Sequence, residues 1–173
     1  MTALDRLRET FPDAAKDIRV NVQTVLGQSS LSEAQKWGVA YATALASRNP
    51  ALRDAVREDA AAVVDAAVLE DARAAAVLMG MNNVYYRFRH MIGKPAYADK
   101  PARLRMQRLA QVATNKVDFE LFCLAVSAVN GCEQCLQSHE KVVLEGGLGE
   151  DHVNDAVRIA STMHAAAMAL ELG

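Results

Sequence analysis

The stretch DFELFCLAVSAVNGCEQCLQSHEK, residues 118–141, decides the fold because it holds two helical segments separated by a single break. The mostly apolar residues 118–129 are predicted to form one helix. Asn130 and Gly131 both tolerate the left-handed backbone conformation that ends helices, so the chain is expected to turn there. A second helix is predicted to start at Cys132, and the two helices should pack as an antiparallel hairpin.

The rest of the chain repeats this alternation of helical segments and breaks. Ser32 and Gln35 have the spacing of a capping box, and Asn49 can cap a helix that has Pro50 in its first position. No run of strand-forming residues alternates in the way a sheet requires. The predicted helices are an opening one before Pro12, then 13–26, 32–47, 50–67, 70–91, 103–112, 118–129, 132–146 and 150–172.

These segments predict an all-α fold of about eight helices in a single domain, residues 1–173. Residues 70–91 are apolar on nearly every face, which is typical of a central helix buried on most sides. Residues 103–112 read as a basic amphipathic helix. The alanine-rich segment 150–172 is more apolar than one small domain's surface normally is, which indicates an oligomer.

Two related halves are a further prediction. A shift of 81 residues superimposes the segment around Asn49 on that around Asn130, so residues 1–95 would form a non-catalytic helical half and residues 101–173 a catalytic half. Under this shift Asp54 and Glu58 fall where Cys135 and His139 lie. The first half would then be scaffold alone.

Composition narrows the function classes. The formal net charge is −2 with both signs mixed along the chain, so no nucleic-acid partner is expected. No run approaches eighteen apolar residues, and the first residues lack the pattern of a secretory signal, so no membrane association and a cytoplasmic location are expected. Three cysteines in a reducing compartment favour catalysis or metal binding over a disulfide framework.

The candidate site starts with Cys132, Cys135 and His139, which share one face of a helix at about 100° per residue. Helical side chains lean toward the N-terminus, so His139 is predicted to reach back to the Cys135 sulfur. The positive end of the helix favours thiolates, and two thiols at this spacing suit a dithiol/disulfide cycle. The pattern predicts a redox centre.

Glu120 is the fourth candidate. Folding the hairpin places it opposite residue 141, about one turn from His139, so its carboxylate can orient the imidazole or exchange a proton with it. This predicts a relay from Glu120 through His139 to Cys135. Because Glu120 begins an apolar run, burial is expected to raise the pKa of its carboxyl group.

Residues 118–141 resemble the active-site segment of the alkylhydroperoxidase D family, within the carboxymuconolactone decarboxylase superfamily. FPDAAKDIRVNVQTVL, SEAQKWGVAYATALASRNP and MGMNNVYYRFR resemble further segments of that family, so the likeness covers essentially the whole chain. It implies an all-helical homotrimer that reduces organic hydroperoxides and keeps a partner peroxiredoxin reduced. The electrons would come from dihydrolipoamide on a lipoyl-bearing 2-oxoacid dehydrogenase component, which lipoamide reductase recharges, and no cofactor would be resident.

The resemblance also implies roles for individual residues. Cys135 would be the attacking thiol that passes through a sulfenic acid, and Cys132 the resolving thiol and proton donor. Glu120 and His139 would be the acid–base relay. Some relatives carry a second histidine where this chain has Gln134, so no role is transferred to that position.

Other interpretations stay open at this point. Cys132, Cys135, His139 and Glu120 are acceptable zinc ligands, which would make the chain a zinc-stabilised interaction module. A static disulfide is a further interpretation, although a bridge closing so short a loop would stabilise little. A third is a redox adaptor whose substrate is a partner's disulfide. Outside the motif, Cys123 and His164 are predicted to be core residues, His90 and His152 to lie at helix ends, and Arg103, Arg105 and Arg108 to form a solvated face.

Overall fold

A computed structural model describes residues 1–172, which contain nine α-helices and no strand. The helices are α1 Ala3–Arg8, α2 Lys16–Gly27, α3 Glu33–Ala46, α4 Pro50–Ala61, α5 Ala66–Ile92, α6 Pro95–Ala98, α7 Lys116–Asn130, α8 Glu133–Glu145 and α9 Glu150–Leu170. This architecture confirms the all-α prediction. None of the nine helices is long and apolar enough to span a membrane.

Helix α7 is the centre of the fold. Every residue from Phe119 to Ser127 is buried, so the helix is enclosed on all sides. Helices α3, α5, α8 and α9 pack around it, and α3 also packs against α5 and α9. The phenylalanine rings of Phe119 and Phe122 are fully buried here. The site's Glu120 therefore lies in the least accessible helix of the molecule.

Helix α5 differs from its prediction. Its inner face is buried through Ala72, Ala75 and Met79, but Val77 and Met91 on the outer face are 75% and 77% exposed. The expectation that residues 70–91 are central and buried on most sides is therefore wrong. Apolar residues are often found on protein surfaces, and α5 carries more of them than its inner face can bury.

The predicted capped starts of α3 and α4 are confirmed. Ser32 Oγ accepts the Gln35 N–H at 3.3 Å while Gln35 Oε1 accepts the Ser32 N–H at 3.0 Å, which is a capping box. Asn49 Oδ1 accepts the Leu52 N–H at 3.0 Å at the start of α4. Helix α4 ends at Ala61 and α5 begins at Ala66, so this break lies a few residues earlier than predicted.

The basic helix predicted for residues 103–112 is absent. The segment is irregular apart from one 3₁₀ turn, Gln107–Ala110. Its path is set by Asp71, a fully buried carboxylate on α5. Asp71 accepts hydrogen bonds from the backbone N–H groups of Ala113 at 2.9 Å and Thr114 at 2.8 Å.

The Asp71 anchor includes charge as well as backbone bonds. Arg108 Nη2 lies 2.6 Å from the same carboxylate, so Arg108 is a structural residue rather than part of a solvated face. Burial raises the pKa of Asp71, but the hydrogen bonds from Ala113, Thr114 and Arg108 outweigh it and lower the pKa below its ordinary value. A buried carboxylate satisfied in this way overrides the weak helical preference of the segment.

Histidines outside the motif lie near the surface. His164 on α9 is exposed and lies 3.3 Å from Ser47 Oγ, so the prediction that it packs in the core is wrong. His90 is in the last turn of α5, and His152 Nδ1 accepts the Gly149 N–H at the start of α9, as expected for helix ends.

Candidate active site

The turn between α7 and α8 is built as the sequence predicts. Gly131 has a φ of 66°, the left-handed conformation that ends α7. Arg87 on α5 donates to the Asn130 carbonyl, and Asn130 Nδ2 donates to Asn83 Oδ1 at 2.9 Å. Helix α8 begins at Glu133, one residue later than predicted. The N-cap is therefore Cys132, which precedes the first turn.

The two motif cysteines are joined. Cys132 and Cys135 form a disulfide with their Cα atoms 5.3 Å apart. Cys132 is completely enclosed, whereas Cys135 is 7% exposed and reaches a cavity. The third cysteine, Cys123, is free and buried in α7, and burial raises the pKa of its thiol well above the ordinary value. Cys123 is thus the inert core residue that the sequence predicts.

The start of α8 favours negative charge on sulfur. No side chain caps this helix, because its N-cap is a cysteine that makes no capping hydrogen bond. The first N–H groups of a helix have no partner within it, and they carry about half a positive charge between them. In the reduced protein a thiolate at Cys135, in the first turn, would benefit from this field.

Glu120 and His139 form the predicted pair by direct contact. Glu120 Oε2 lies 2.5 Å from His139 Nδ1, and Glu120 Oε1 lies 2.5 Å from Lys116 Nζ. Burial raises the pKa of Glu120, but the hydrogen bonds from His139 and Lys116 outweigh it, and the pKa is lowered. The expectation of a raised pKa is wrong because the buried carboxylate has two positively charged or donating partners.

The second nitrogen of His139 faces sulfur, although not that of a cysteine. Nε2 lies 3.3 Å from Met79 Sδ, which also accepts from Asn83 Nδ2 at 3.7 Å. The predicted bond from His139 to Cys135 is not formed among the described residues. In this disulfide form the Cys135 sulfur carries no proton to exchange. A thioether and a carboxylate only accept, so both ring contacts are hydrogen bonds when each nitrogen carries hydrogen.

A cavity of about 410 Å³ joins these groups. Its polar lining comes from Asn82, Gln134, Cys135, Ser138 and His139, and its apolar lining from Met79, Tyr86, Met106 and Leu109. This volume lies within the usual range for small-molecule sites. A sulfur that reaches such a cavity beside an acid–base pair can react with a small organic molecule.

Sequence reasoning missed the α5 side of the site. Met79, Asn82 and Tyr86 are separated by three and four residues, so they lie on one face of α5 and together line the cavity. The spacing predicts that the three side chains share one helix face, but it does not indicate that this face meets the cysteine motif. Met106 and Leu109 were assigned to a helix that does not form, so their position depends on the Asp71 anchor.

The described residues gather no group of three histidine, cysteine, aspartate or glutamate side chains suited to a metal ion. The sulfurs of Cys132 and Cys135 are bonded to each other, whereas zinc requires separate thiolates. The geometry is that of a dithiol/disulfide pair.

Comparison with known proteins identifies relatives of this chain. The model of the carboxymuconolactone decarboxylase family matches residues 95–172. A protein named alkyl hydroperoxide reductase AhpD from Anaeromyxobacter dehalogenans (strain 2CP-C) is 63% identical over 172 residues, which is 99% of this chain and 92% of the relative.

Proteins of the same name in more distant bacteria are also similar along their whole length. The one from Solibacter usitatus is 49% identical over 169 residues, covering 98% of this chain and 96% of the relative. The one from Methylocella silvestris is 45% identical over 169 residues, covering 98% and 95%. The chain therefore belongs to the alkyl hydroperoxide reductase AhpD family.

Proposed function

We propose that this protein is an antioxidant enzyme that reduces organic hydroperoxides with the Cys132–Cys135 dithiol. One observation carries the proposal: Cys135 lines a small, largely apolar cavity together with His139, whose imidazole is bonded to the buried Glu120. The full-length relatives, which are named alkyl hydroperoxide reductases, support the same activity.

The first step is attack by the Cys135 thiolate. In the reduced protein His139 accepts the thiol proton, helped by Glu120 and by the uncapped end of α8. The sulfur attacks the outer oxygen of the hydroperoxide, the O–O bond breaks, and Cys135 becomes a sulfenic acid. The inner oxygen leaves as alkoxide and takes a proton to give the alcohol.

The second step closes the disulfide. The Cys132 sulfur attacks the sulfenic sulfur of Cys135 and displaces hydroxide, which leaves as water after taking the Cys132 proton. One hydroperoxide and two thiols thus give one alcohol, one water and the disulfide. The arrangement in the structure is the end point of this cycle. Its enclosed Cys132 suits the resolving role because hydroperoxide reaches Cys135 first.

The disulfide must then be reduced by a dithiol. We propose dihydrolipoamide as the donor, because its slender dithiol arm fits a cavity of about 410 Å³ better than a bulky thiol protein does. Two successive exchanges return Cys132 and Cys135 to thiols and leave lipoamide as its cyclic disulfide. Lipoamide reductase would then reduce it, with the lipoyl group carried on a 2-oxoacid dehydrogenase component.

A peroxiredoxin of the AhpC type is the proposed protein partner. A groove beside the disulfide is lined by Arg89, Lys94 and Asp99 and by Gln134, which lies between the two cysteines. Its two cations outnumber its one carboxylate, so the rim would attract an acidic partner surface and bring a partner's disulfide to this end of α8. This groove is the specific feature that favours the second candidate function, a redox adaptor with incidental peroxidase activity.

We also propose that the protein is a homotrimer. Val77, Val84 and Met91 on α5 are 75%, 59% and 77% exposed and recur every seven residues, the spacing by which helices of separate subunits pair. A cavity of about 440 Å³ beside them, lined in part by Arg73 and Gly80, leaves room for a partner's side chains. Analytical ultracentrifugation should give three times the 18.7 kDa chain mass; a monomer at micromolar concentration would contradict this.

The activity is tested by a coupled assay with dihydrolipoamide, lipoamide reductase and tert-butyl hydroperoxide. The wild type should turn over. Cys135→Ser should lose at least ~1,000-fold because serine cannot cycle with Cys132. Cys123→Ala removes an inert thiol and is the matched control, with turnover near wild type. Equal rates for Cys135→Ser and wild type would overturn the proposal.

The same assay separates the adaptor alternative. Turnover is measured with hydroperoxide alone and with an oxidised peroxiredoxin in its place. An enzyme with its own peroxidase activity works in both. An adaptor is active only with the peroxiredoxin, and stoichiometric zinc in the purified protein would instead support the interaction module.

A further inference from the structure

Two adjacent asparagines on α5 are both buried but differ in their hydrogen bonds. Asn83 Nδ2 donates to Ser127 Oγ at 2.9 Å and its Oδ1 accepts from Asn130 at 2.9 Å, so its amide is satisfied. Asn82 is 5% exposed, yet the described residues give its buried Oδ1 no hydrogen-bond partner. Asn82 also lines the cavity that contains Cys135 and His139.

An orphaned amide of this kind is costly. A buried acceptor without a partner destabilises the fold by roughly 1–3 kcal/mol, and such groups are rare. Leucine has nearly the same size and would fill the position without this cost. Turning the amide over exchanges its oxygen and nitrogen but leaves the same inner position unpartnered. The cost makes sense when the amide has a ligand in the cavity to bind.

We propose that Asn82 is a substrate-binding residue that holds the –OOH group of an organic hydroperoxide against Cys135, an inference that rests on the proposed function. A hydroperoxide has one O–H donor on its outer oxygen and lone pairs on both oxygens. The Asn82 carboxamide supplies the matching acceptor and donors. Oδ1 has almost no accessible surface where it lies, so the side chain turns toward the cavity when a hydroperoxide binds. Oδ1 then accepts the outer O–H, and the N–H group donates to the inner oxygen.

This pairing directs the reaction. The outer oxygen, held by Asn82, is the atom that bonds to the Cys135 sulfur and keeps its hydrogen in the sulfenic acid. The inner oxygen leaves with the electron pair of the O–O bond and takes the proton that His139 received from the Cys135 thiol. The N–H of Asn82 stabilises the negative charge that develops on that oxygen.

The apolar walls complete the orientation. Met79, Met106 and Leu109 and the ring of Tyr86 offer apolar contacts to a carbon skeleton. The organic group therefore packs against them while Asn82 fixes the peroxide end. Hydrogen peroxide lacks the organic group, so it should be a poorer substrate than alkyl or aryl hydroperoxides.

The test is Asn82→Leu, compared with wild type in two reactions of the reduced enzyme. With cumene hydroperoxide, kcat/KM should fall by roughly 10- to 100-fold, the effect of losing one or two hydrogen bonds to the reacting group. With dithiobis(nitrobenzoate), the same thiol attacks a disulfide that has no O–H to bind, and the rate should stay within about twofold. The melting temperature should not fall, because the variant removes a buried oxygen that has no hydrogen-bond partner.

Asn83→Leu is the matched structural control. It breaks the buried hydrogen bonds of Asn83 with Ser127, Asn130 and Met79, so its melting temperature should fall by several degrees, which shows that the measurement detects a structural amide. The Asn82 inference is overturned if Asn82→Leu reduces cumene hydroperoxide at the wild-type rate, if both of its reactions fall together, or if it melts as early as Asn83→Leu.

Failure of the proposed function gives a different result. In that case wild type itself does not reduce cumene hydroperoxide, although its thiols still react with dithiobis(nitrobenzoate).

Discussion

The α3–α4 and α7–α8 hairpins begin their second helices in opposite ways. Helix α4 starts with a capping asparagine, Asn49, whose side chain accepts the Leu52 N–H, followed by Pro50, which has no N–H. Helix α8 starts with Cys132, which makes no capping bond. The first start satisfies its N–H groups, and the second leaves them for a thiolate. The difference leaves the N–H groups at the start of α8 free to stabilise a thiolate, as the proposed mechanism requires.

The positions that precede and follow these starts also differ. Val39, 81 residues before Glu120, is a fully buried apolar residue of α3. Asp54, which is half-buried, and Glu58, which is exposed, are at the positions of Cys135 and His139 and form surface ion pairs with Arg53 at 2.9 Å and Arg6 at 3.2 Å. In the second hairpin Cys135 is bonded to Cys132 and His139 to Glu120, and these groups are largely buried. The same positions thus hold surface ion pairs in the first hairpin and a buried group of bonded side chains in the second.

The largest effect on activity is expected from Glu120→Gln in the second hairpin. The amide keeps the size of the side chain but removes the negative charge that orients and supports His139, so kcat/KM for hydroperoxide should fall by about 100-fold or more. Steady-state kinetics measure the change. Glu58→Gln in the first hairpin is the matched control and should leave activity unchanged. A Glu120→Gln enzyme within threefold of wild type would remove Glu120 from the relay.

Cys132→Ser tests how capping the start of α8 changes the stability of the fold. Serine is a preferred N-cap, and its hydroxyl can accept a first-turn N–H, so α8 would acquire the kind of start that α4 has. In urea titrations, the free energy of unfolding of the fully reduced variant should exceed that of fully reduced wild type by about 1 kcal/mol. Asn49→Ala should lose about 1 kcal/mol by the reverse change. A reduced Cys132→Ser that is less stable than wild type would mean that packing at position 132 outweighs capping.

The smallest effect concerns pH. The folded-state pKa of Glu120 is lowered, so its pairing with His139 and Lys116 stabilises the fold above the ordinary carboxyl pKa of 4.5. This contribution is lost as pH falls below 4.5 toward the folded value, because protonation removes the charge. Thermal melting between pH 5 and 3 should therefore show a shallower decline for Glu120→Gln than for wild type. Parallel curves would contradict the lowered pKa.

Local signals predicted much of this structure. The capping residues Ser32 and Asn49 and the left-handed Gly131 act within a few residues of chain, so most of the breaks and helices are readable from spacing. The short helix α6 was not predicted, and the predicted helix 103–112 does not form. The pairing of Glu120 with His139 followed from the same logic, because a tight turn between two helices fixes which residues face each other. The cysteine pair needed only helical geometry.

Predictions failed where a distant residue decides the outcome. Residues 103–112 have helical amphipathicity, but Asp71 on α5 binds the backbone just beyond them and holds the segment in an irregular path. The pKa of Glu120 depends on Lys116 as well as on burial, and His139 meets Met79 from another helix. The exposed apolar residues of α5, Val77, Val84 and Met91, were not predicted. Apolar content alone does not tell which face of a helix packs against the core.

The enclosure of α7 has a consequence for how the enzyme gains and loses its function. Because Glu120 lies in the helix that α3, α5, α8 and α9 cover, we expect the Glu120–His139 pair to form only when the hydrophobic interior closes, in one cooperative event. On heating, catalytic loss should coincide with the calorimetric transition instead of preceding it.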